Sequence, residues 1–304
     1  YTLSLHDALP ISLVSIIIPT YNHAQFLHEA LQSVCNQTFV DWEVLVINNY
    51  SEDDTIEIVK AFNDSRIHLE NFRNNGIIAA SRNHGIGMAR GKYLAFLDSD
   101  DAWFPEKLST CIIMLEGGCD LVCHGLHWFG NERDRDQYYG PASRATYDAL
   151  LYKGNCIATS ATIVRKELVE AVGGFSESLE VVTAEDYHLW LKLSQAGVEM
   201  NFVNQVLGSY RFHATNAGTP IKQAKAVEHV VEDFFPKRES RSLKERVRVR
   251  FRYGVINYGI GRNMQANGKF FAAWPYLLRS LTLCPLYIKT YMALVLNFFC
   301  IKRD

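Results

Sequence analysis

Three acidic residues stand within four positions at Asp98-Ser99-Asp100-Asp101, directly after the apolar run YLAFL at 93–97. Crowded carboxylates repel one another, and more strongly as water is excluded. A positive partner is therefore expected among them, and two readings are open. A hard divalent cation, Mg²⁺ or Mn²⁺, takes one or two carboxylates plus substrate phosphates. Alternatively, the acids cap a helix opened by Pro105-Glu106-Lys107, since a helix N-terminus favours negative charge. A second acidic pair, Glu185-Asp186, precedes Leu189, Trp190, Leu191 and Leu193. It reads either as a proton acceptor or as plain first-turn acidity. Arg82 carries a planar fork suited to phosphate or base oxygens.

These groups need a frame to position them. Residues 14–19 (VSIIIP), 43–47 (EVLVI) and 93–97 (YLAFL) are continuous apolar runs, the pattern of strands buried on both faces. Between them, residues 24–34 and 77–89 carry helical periodicity, and Asp53 or Asp54 is placed to cap a helix through Phe62. A short strand is expected at 67–69. Strands alternating with helices argue for βαβ units and a mostly parallel sheet, whose ligands bind beyond the carboxyl ends of the strands. Thr20-Tyr21-Asn22, Asn48-Asn49-Tyr50-Ser51 and the acidic turn all stand at such ends. Later, strands are expected at 121–128, 158–164 and 202–210 and a helix at 183–196. From 221 the pattern is helical, with breaks expected at Pro236, Pro275 and Pro285.

Composition excludes several classes. The 304 residues are 48% hydrophobic and 21% charged, enough for a normal core, and a net charge of −2 supplies no global field for nucleic acid. The basic stretch at 237–252 reads as a solvated helix face. Seven scattered cysteines form no dense framework, which favours a reducing compartment. Cys119, Cys123, His124 and His127 lack the spacing of a zinc knuckle and read instead as a buried strand. The Gly-x-Gly within 85–91 follows no strand, so it is no dinucleotide fingerprint. Residues 1–12 lack the basic and apolar regions of a secretory signal and are expected to be a non-native or unstructured leader. Residues 270–301 are apolar but interrupted by Arg279, Pro285 and Lys289, short of the ~18 residues of a spanning helix. They read as helices packed on the domain, or as a helix lying on a membrane surface with Lys302-Arg303 beside the headgroups.

Taken together, the segments VSIIIPTYN (14–22), ALQSVCNQTFVDW (30–42), NGIIAASRNHGIGMARG (75–91), YLAFLDSDDAWFPEKL (93–108), VGGF (172–175), Glu185-Asp186 and Leu189-Trp190 resemble glycosyltransferase family 2, with its GT-A fold. The resemblance covers roughly residues 14–218. It implies an α/β, Rossmann-like, mostly parallel mixed sheet flanked by helices at 13–220, followed by a helical C-terminal region at 221–304. It further implies a divalent metal, Mn²⁺ or Mg²⁺, with Asp100 as main ligand and His213 completing the shell. Pro19, Thr20, Tyr21, Asn48, Arg82, Asp98 and Ser99 would bind the nucleotide. Asp186 would be the general base and Glu185 its support or an acceptor contact. Asn48 and Asn49 depart from the pattern, for the family usually shows acid at the first and often at the second. An amide oxygen still accepts a hydrogen bond from a base N–H, but without charge.

The implied reaction is inverting transfer of a sugar from a nucleoside diphosphate, UDP-type, to a hydroxyl of a saccharide or lipid-linked saccharide. The implied setting is cytoplasmic, at the inner face of a membrane, in polysaccharide or glycolipid assembly. No nucleic acid partner is expected. The alternatives are a non-catalytic nucleotide-sugar-binding module, at which Asn48 and Asn49 hint, and a nucleotidyltransferase. The latter would need a basic, Gly-rich loop where this chain has Thr20-Tyr21-Asn22-His23.

Overall fold

The computed structural model describes residues 12–130, 133–213 and 220–301, so the expected leader lies outside it but for Ser12. The chain forms two compact units. The first holds residues up to 146, 156–175 and 192–216, and the second holds 147–155, 176–191 and those from 217 on.

In chain order the elements are β1 (Val14–Thr20), α1 (Ala24–Cys35), β2 (Trp42–Asn48), α2 (Thr55–Ala61), β3 (Ile67–Asn71), α3 (Ile78–Met88), β4 (Tyr93–Phe96) and β5 (Ala102–Trp103). Then follow α4 (Lys107–Glu116), β6 (Leu121–Gly130), β7 (Arg133–Gln137), α5 (Tyr147–Lys153), β8 (Thr162–Arg165), α6 (Lys166–Ala171), α7 (Glu185–Gln195) and β9 (Met200–Arg211). Four helices end the chain: α8 (Pro220–Phe234), α9 (Leu243–Ala266), α10 (Phe270–Leu283) and α11 (Ile288–Phe298).

All strands of the first unit join one sheet of order β3-β2-β1-β4-β8-β6-β9-β5, with β7 on the edge of β6. β3, β2, β1 and β4 are parallel, and β8 then enters antiparallel. Every residue of β1 and β2 is buried, as their unbroken apolar runs require. The two faces are covered by different helices. Val14, Ile16 and Ile18 share a core with Leu27, Leu31, Leu108 and Leu115 of α1 and α4. Ile17 faces the other way, onto α3. There a Cβ added at Gly85 would lie 2.8 Å from Ile17 Cγ2, so this glycine lets helix and strand approach closely.

Within β2, Glu43 is almost fully buried. It accepts hydrogen bonds from Ser15 Oγ at 2.7 Å, Arg90 N at 2.8 Å and Arg90 Nε at 2.9 Å. Burial pushes its carboxyl up, but these donors outweigh it and hold the carboxyl below its ordinary range.

In the second unit α9 packs on α8 and α10, and α10 on α11. A capping box closes the start of α9, with Ser242 Oγ accepting from Glu245 N at 3.3 Å. Pro236 and Pro285 fall between helices, as expected. Pro275 does not break the chain, because it lies inside α10. It is the sixth residue of that helix, past the first-turn amides that have no intrahelical partner, so it costs one i→i−4 hydrogen bond without ending the helix. No helix among the described residues is long and apolar enough to cross a membrane.

Candidate active site

Parallel register brings the strand ends level. Thr20 pairs with Asn48, and Ile17 with Phe96, so the turns after β1, β2 and β4 emerge on one edge. The first two turns are tied together. Asn22 N donates to Ser51 Oγ at 2.9 Å, and Glu52 N donates to Asn22 Oδ1 at 2.8 Å. Asn49 N donates to Thr20 O at 3.0 Å. Asp53 serves both helices that follow, accepting from Ala24 N at 2.9 Å and from Thr55 N at 3.2 Å. Asp53, one residue before the N-cap Asp54, thus holds the first amide of α2, whereas Asp54 makes no side-chain cap bond. Asn22 and Tyr50 sit in the left-handed region at φ of 52° and 55°, which sharpens both turns.

The acidic turn leaves β4 with each side chain given a distinct partner. Asp98 Oδ1 accepts from Arg82 Nη2 at 2.8 Å. Arg82 itself is buried in α3. Ser99 Oγ lies 2.9 Å from His23 Nδ1. Asp100 Oδ2 lies 2.8 Å from His213 Nε2, and both side chains are 14% exposed. The His213 ring packs on Phe26, with centroids 4.8 Å apart. Asp101 points inward and Arg211 N donates to its Oδ1 at 3.1 Å. Burial, with Asp100 and Asp98 adding repulsion, pushes the Asp101 carboxyl well above the usual carboxylate range. Beneath the turn, Asp98 N donates to Ser160 Oγ at 3.2 Å, and Trp103 Nε1 donates to Ser160 O at 2.7 Å. The helix reading of the acids does not hold in this form. α4 starts at Lys107 with Glu106 as N-cap, and none of the three acids reaches its amides.

The donor set at Asp100 and His213 suits a divalent cation. Two ligand atoms 2.8 Å apart are close to the cis edge, about 3 Å, of an octahedron with bonds near 2.1 Å. Imidazole beside carboxylate favours Mn²⁺ over Mg²⁺. Among the described residues no group of three or more His, Cys, Asp or Glu could hold a metal. The other coordination positions would fall to donor phosphates and water, the usual arrangement for such ions.

Of the residues expected to line the nucleotide, Thr20 is buried and its Oγ1 has no hydrogen-bond partner, while Tyr21 is half exposed. Pro19 is buried within β1. Asn48 lies underneath its turn. Its Oδ1 accepts from Ser51 N at 3.0 Å and Ser51 Oγ at 2.6 Å, and its Nδ2 donates to Asn71 Oδ1 at 2.8 Å. The amide thus shapes the turn from below. Glu185 and Asp186 belong to the second unit, at the start of α7. Thr183 N donates to Glu185 Oε2 at 2.9 Å, and Tyr187 N donates to Asp186 Oδ1 at 2.6 Å. Spacing does not single out His23, Ser160 or Arg211. Each contributes through a partner far away in sequence.

Residues 15–173 match the model of glycosyl transferase family 2. The chain is 31% identical over 204 residues to the Escherichia coli UDP-Glc:alpha-D-GlcNAc-diphosphoundecaprenol beta-1,3-glucosyltransferase WfaP, covering 66% of this chain and 78% of the relative. Its fold is similar to that of Staphylococcus aureus TarS in complex with UDP-GlcNAc, with TM-score 0.60, 18% identity and 83% of each chain covered. It is equally similar to mannosyltransferase PcManGT from Pyrobaculum calidifontis in complex with GDP-Man and Mn²⁺. There the TM-score is 0.60 and the identity 18%, covering 95% of this chain and 84% of that one. With the mixed sheet, the level strand ends and these likenesses in hand, the chain belongs to glycosyl transferase family 2 and is a glycosyltransferase of GT-A fold.

Proposed function

We propose that this enzyme transfers a sugar from a nucleoside-diphosphate sugar, UDP-type, to a hydroxyl of a lipid-linked saccharide or polysaccharide, with inversion at the sugar carbon. The pairing of Asp100 with His213, beside an Asp98 held by Arg82, supports this reading most strongly. Thr20, Tyr21 and Ser99 line the nucleotide, with Pro19 and Asn48 fixing the backbone behind them. Arg82 orients Asp98 and brings positive charge to a site that must hold phosphates. Mn²⁺ or Mg²⁺ on Asp100 and His213 would offset the charge of the departing diphosphate. Asp186 takes the proton of the acceptor hydroxyl as the sugar carbon is attacked, with Glu185 as its support. The setting is the inner face of a membrane in cell-envelope assembly. The diphosphoundecaprenol named in the activity of the E. coli relative supports a lipid-linked acceptor.

The test is a titration of UDP with and without Mn²⁺, followed by a hydrolysis screen of nucleotide sugars. Metal-dependent UDP binding and turnover of a UDP-sugar are expected. Absence of metal-dependent binding would instead mark a non-catalytic module, and preference for a nucleoside triphosphate a nucleotidyltransferase.

A further inference from the structure

The last helix is turned inside out, and the one before it, although it buries Leu277, also leaves large apolar side chains in the open. A helix of a water-soluble fold puts its large apolar side chains inward and its polar ones outward. In α11 the buried residues are Thr290, Ala293 and Asn297. The exposed ones are Ile288, Tyr291, Met292, Val295 and Phe298. The stripe continues on α10 in Phe271 and Leu278, and in Leu286 of the connecting turn.

The inward face is a polar seam. Ser280 Oγ and Thr290 Oγ1 are 3.0 Å apart. Gln265 Nε2 donates to Ala293 O at 2.7 Å and to Asn297 Oδ1 at 3.0 Å, and Asn297 Nδ2 donates to Phe270 O at 3.0 Å. Gly261 lets α9 and α10 approach closely, for a Cβ there would lie 2.5 Å from Leu277 Cδ2. Helices joined by small residues and side-chain hydrogen bonds, with large apolar groups outside, are built for lipid surroundings.

Length and charge narrow the occupant. At 14 and 11 residues, α10 and α11 extend about 21 Å and 17 Å, short of a hydrocarbon core of about 30 Å. They can enter one leaflet but not cross. Between Phe270 and Ile301 the charged residues are Arg279 and Lys289, both exposed, with no Asp or Glu. A second copy docked symmetrically on this face would bring like charges together. Anionic headgroups complement them.

We propose that the α10–α11 hairpin is a membrane-docking element whose outer apolar face seats in one leaflet of an anionic bilayer. It deepens the reading of a lipid-linked acceptor, on which it rests for its biological purpose, but the docking stands on its own geometry.

The test is co-sedimentation of the full chain with vesicles of phosphatidylcholine mixed with phosphatidylglycerol, against pure phosphatidylcholine. Binding to the mixed vesicles is expected. The triple variant Met292→Ser, Val295→Ser, Phe298→Ser should lose more than about tenfold of it, since each buried methylene contributes to partitioning. These side chains are exposed, so the variant should keep its melting temperature and its manganese-dependent UDP binding. Lys289→Gln should weaken binding about fivefold on mixed vesicles and leave pure phosphatidylcholine unaffected. Asp100→Asn should still sediment with vesicles while losing metal-dependent UDP binding, which separates failure of docking from failure of the catalytic reading. Sedimentation of the triple variant like wild type would overturn the proposal. So would a vesicle-independent dimer that the triple variant dissociates.

Discussion

Asp100 and His213 stand 113 residues apart in sequence, yet their side chains meet at 2.8 Å. One lies just after β4 and the other just past β9, so β8 and β6, which stand between those strands in the sheet, must be in place before the pair exists.

The first prediction concerns that pair. Asp100→Asn and His213→Ala should each weaken UDP binding in Mn²⁺ by at least the roughly 10–100-fold seen for loss of outer-shell partners. Binding in the presence of chelator should be the same for both variants and wild type. Calorimetry with and without metal reads this directly. Equal affinity of wild type and variants in Mn²⁺ would remove the metal from Asp100.

The second concerns the base. Asp186→Asn should lower kcat for transfer by about 10²–10⁴ while leaving the affinity for UDP intact. Transfer at the wild-type rate would refute the assignment. A loss of UDP binding instead would relocate Asp186 to the donor side.

The third concerns acid stability. The Glu43 carboxyl is held below its ordinary value of 4.5 in the fold, so the folded state binds fewer protons there than the unfolded chain. Stability from this group is therefore complete above that value and lost as pH falls through the depressed folded value. Glu43→Gln should cost about 1–3 kcal/mol at neutral pH, discounted because the Arg90 side chain is partly in water. The gap to wild type should close on acidification. Parallel melting curves at pH 7 and in mild acid would expose a constant gap, which would sink the argument.

The fourth concerns Lys107, fully buried with Nζ 3.4 Å above the centroid of the Trp103 ring and without a hydrogen-bond partner. Burial pushes its amine down from 10.5 to about 7. A folded value below the unfolded one means that the unfolded chain binds the proton first. Wild-type stability thus rises with pH between those two values. Lys107→Met should stabilise the fold by about 1–3 kcal/mol near neutrality and lose that advantage toward pH 10. Destabilisation by the substitution at neutral pH would show that the cation over Trp103 outweighs desolvation.

What the sequence made legible follows from burial. β1, β2 and β4 announce themselves because parallel strands covered on both faces need unbroken apolar runs. The acidic turn was legible because crowded carboxylates demand an explanation wherever they occur. β7 was not, for its RDRDQ pairs only with β6 at the edge, and a strand wet on its outer face needs no apolar code. β5 is two residues long, below any period. Ser99 with His23 and Arg211 with Asp101 are joined across 76 and 110 positions. Local spacing carries no trace of such pairings. Asn48 shows the limit most plainly. As a residue type it suggested base recognition, whereas its partners Asn71 and Ser51 reveal an amide occupied at both ends.

The stitching between Asn22, Asp53 and their partners has a practical corollary for engineering. Residues 20–24 and 48–55 behave as a single mechanical part, since each supplies acceptors that the other's amides require. Grafting one of these segments from a relative with another donor preference would strand those amides. A chimera should tolerate the exchange only when both segments come from the same parent.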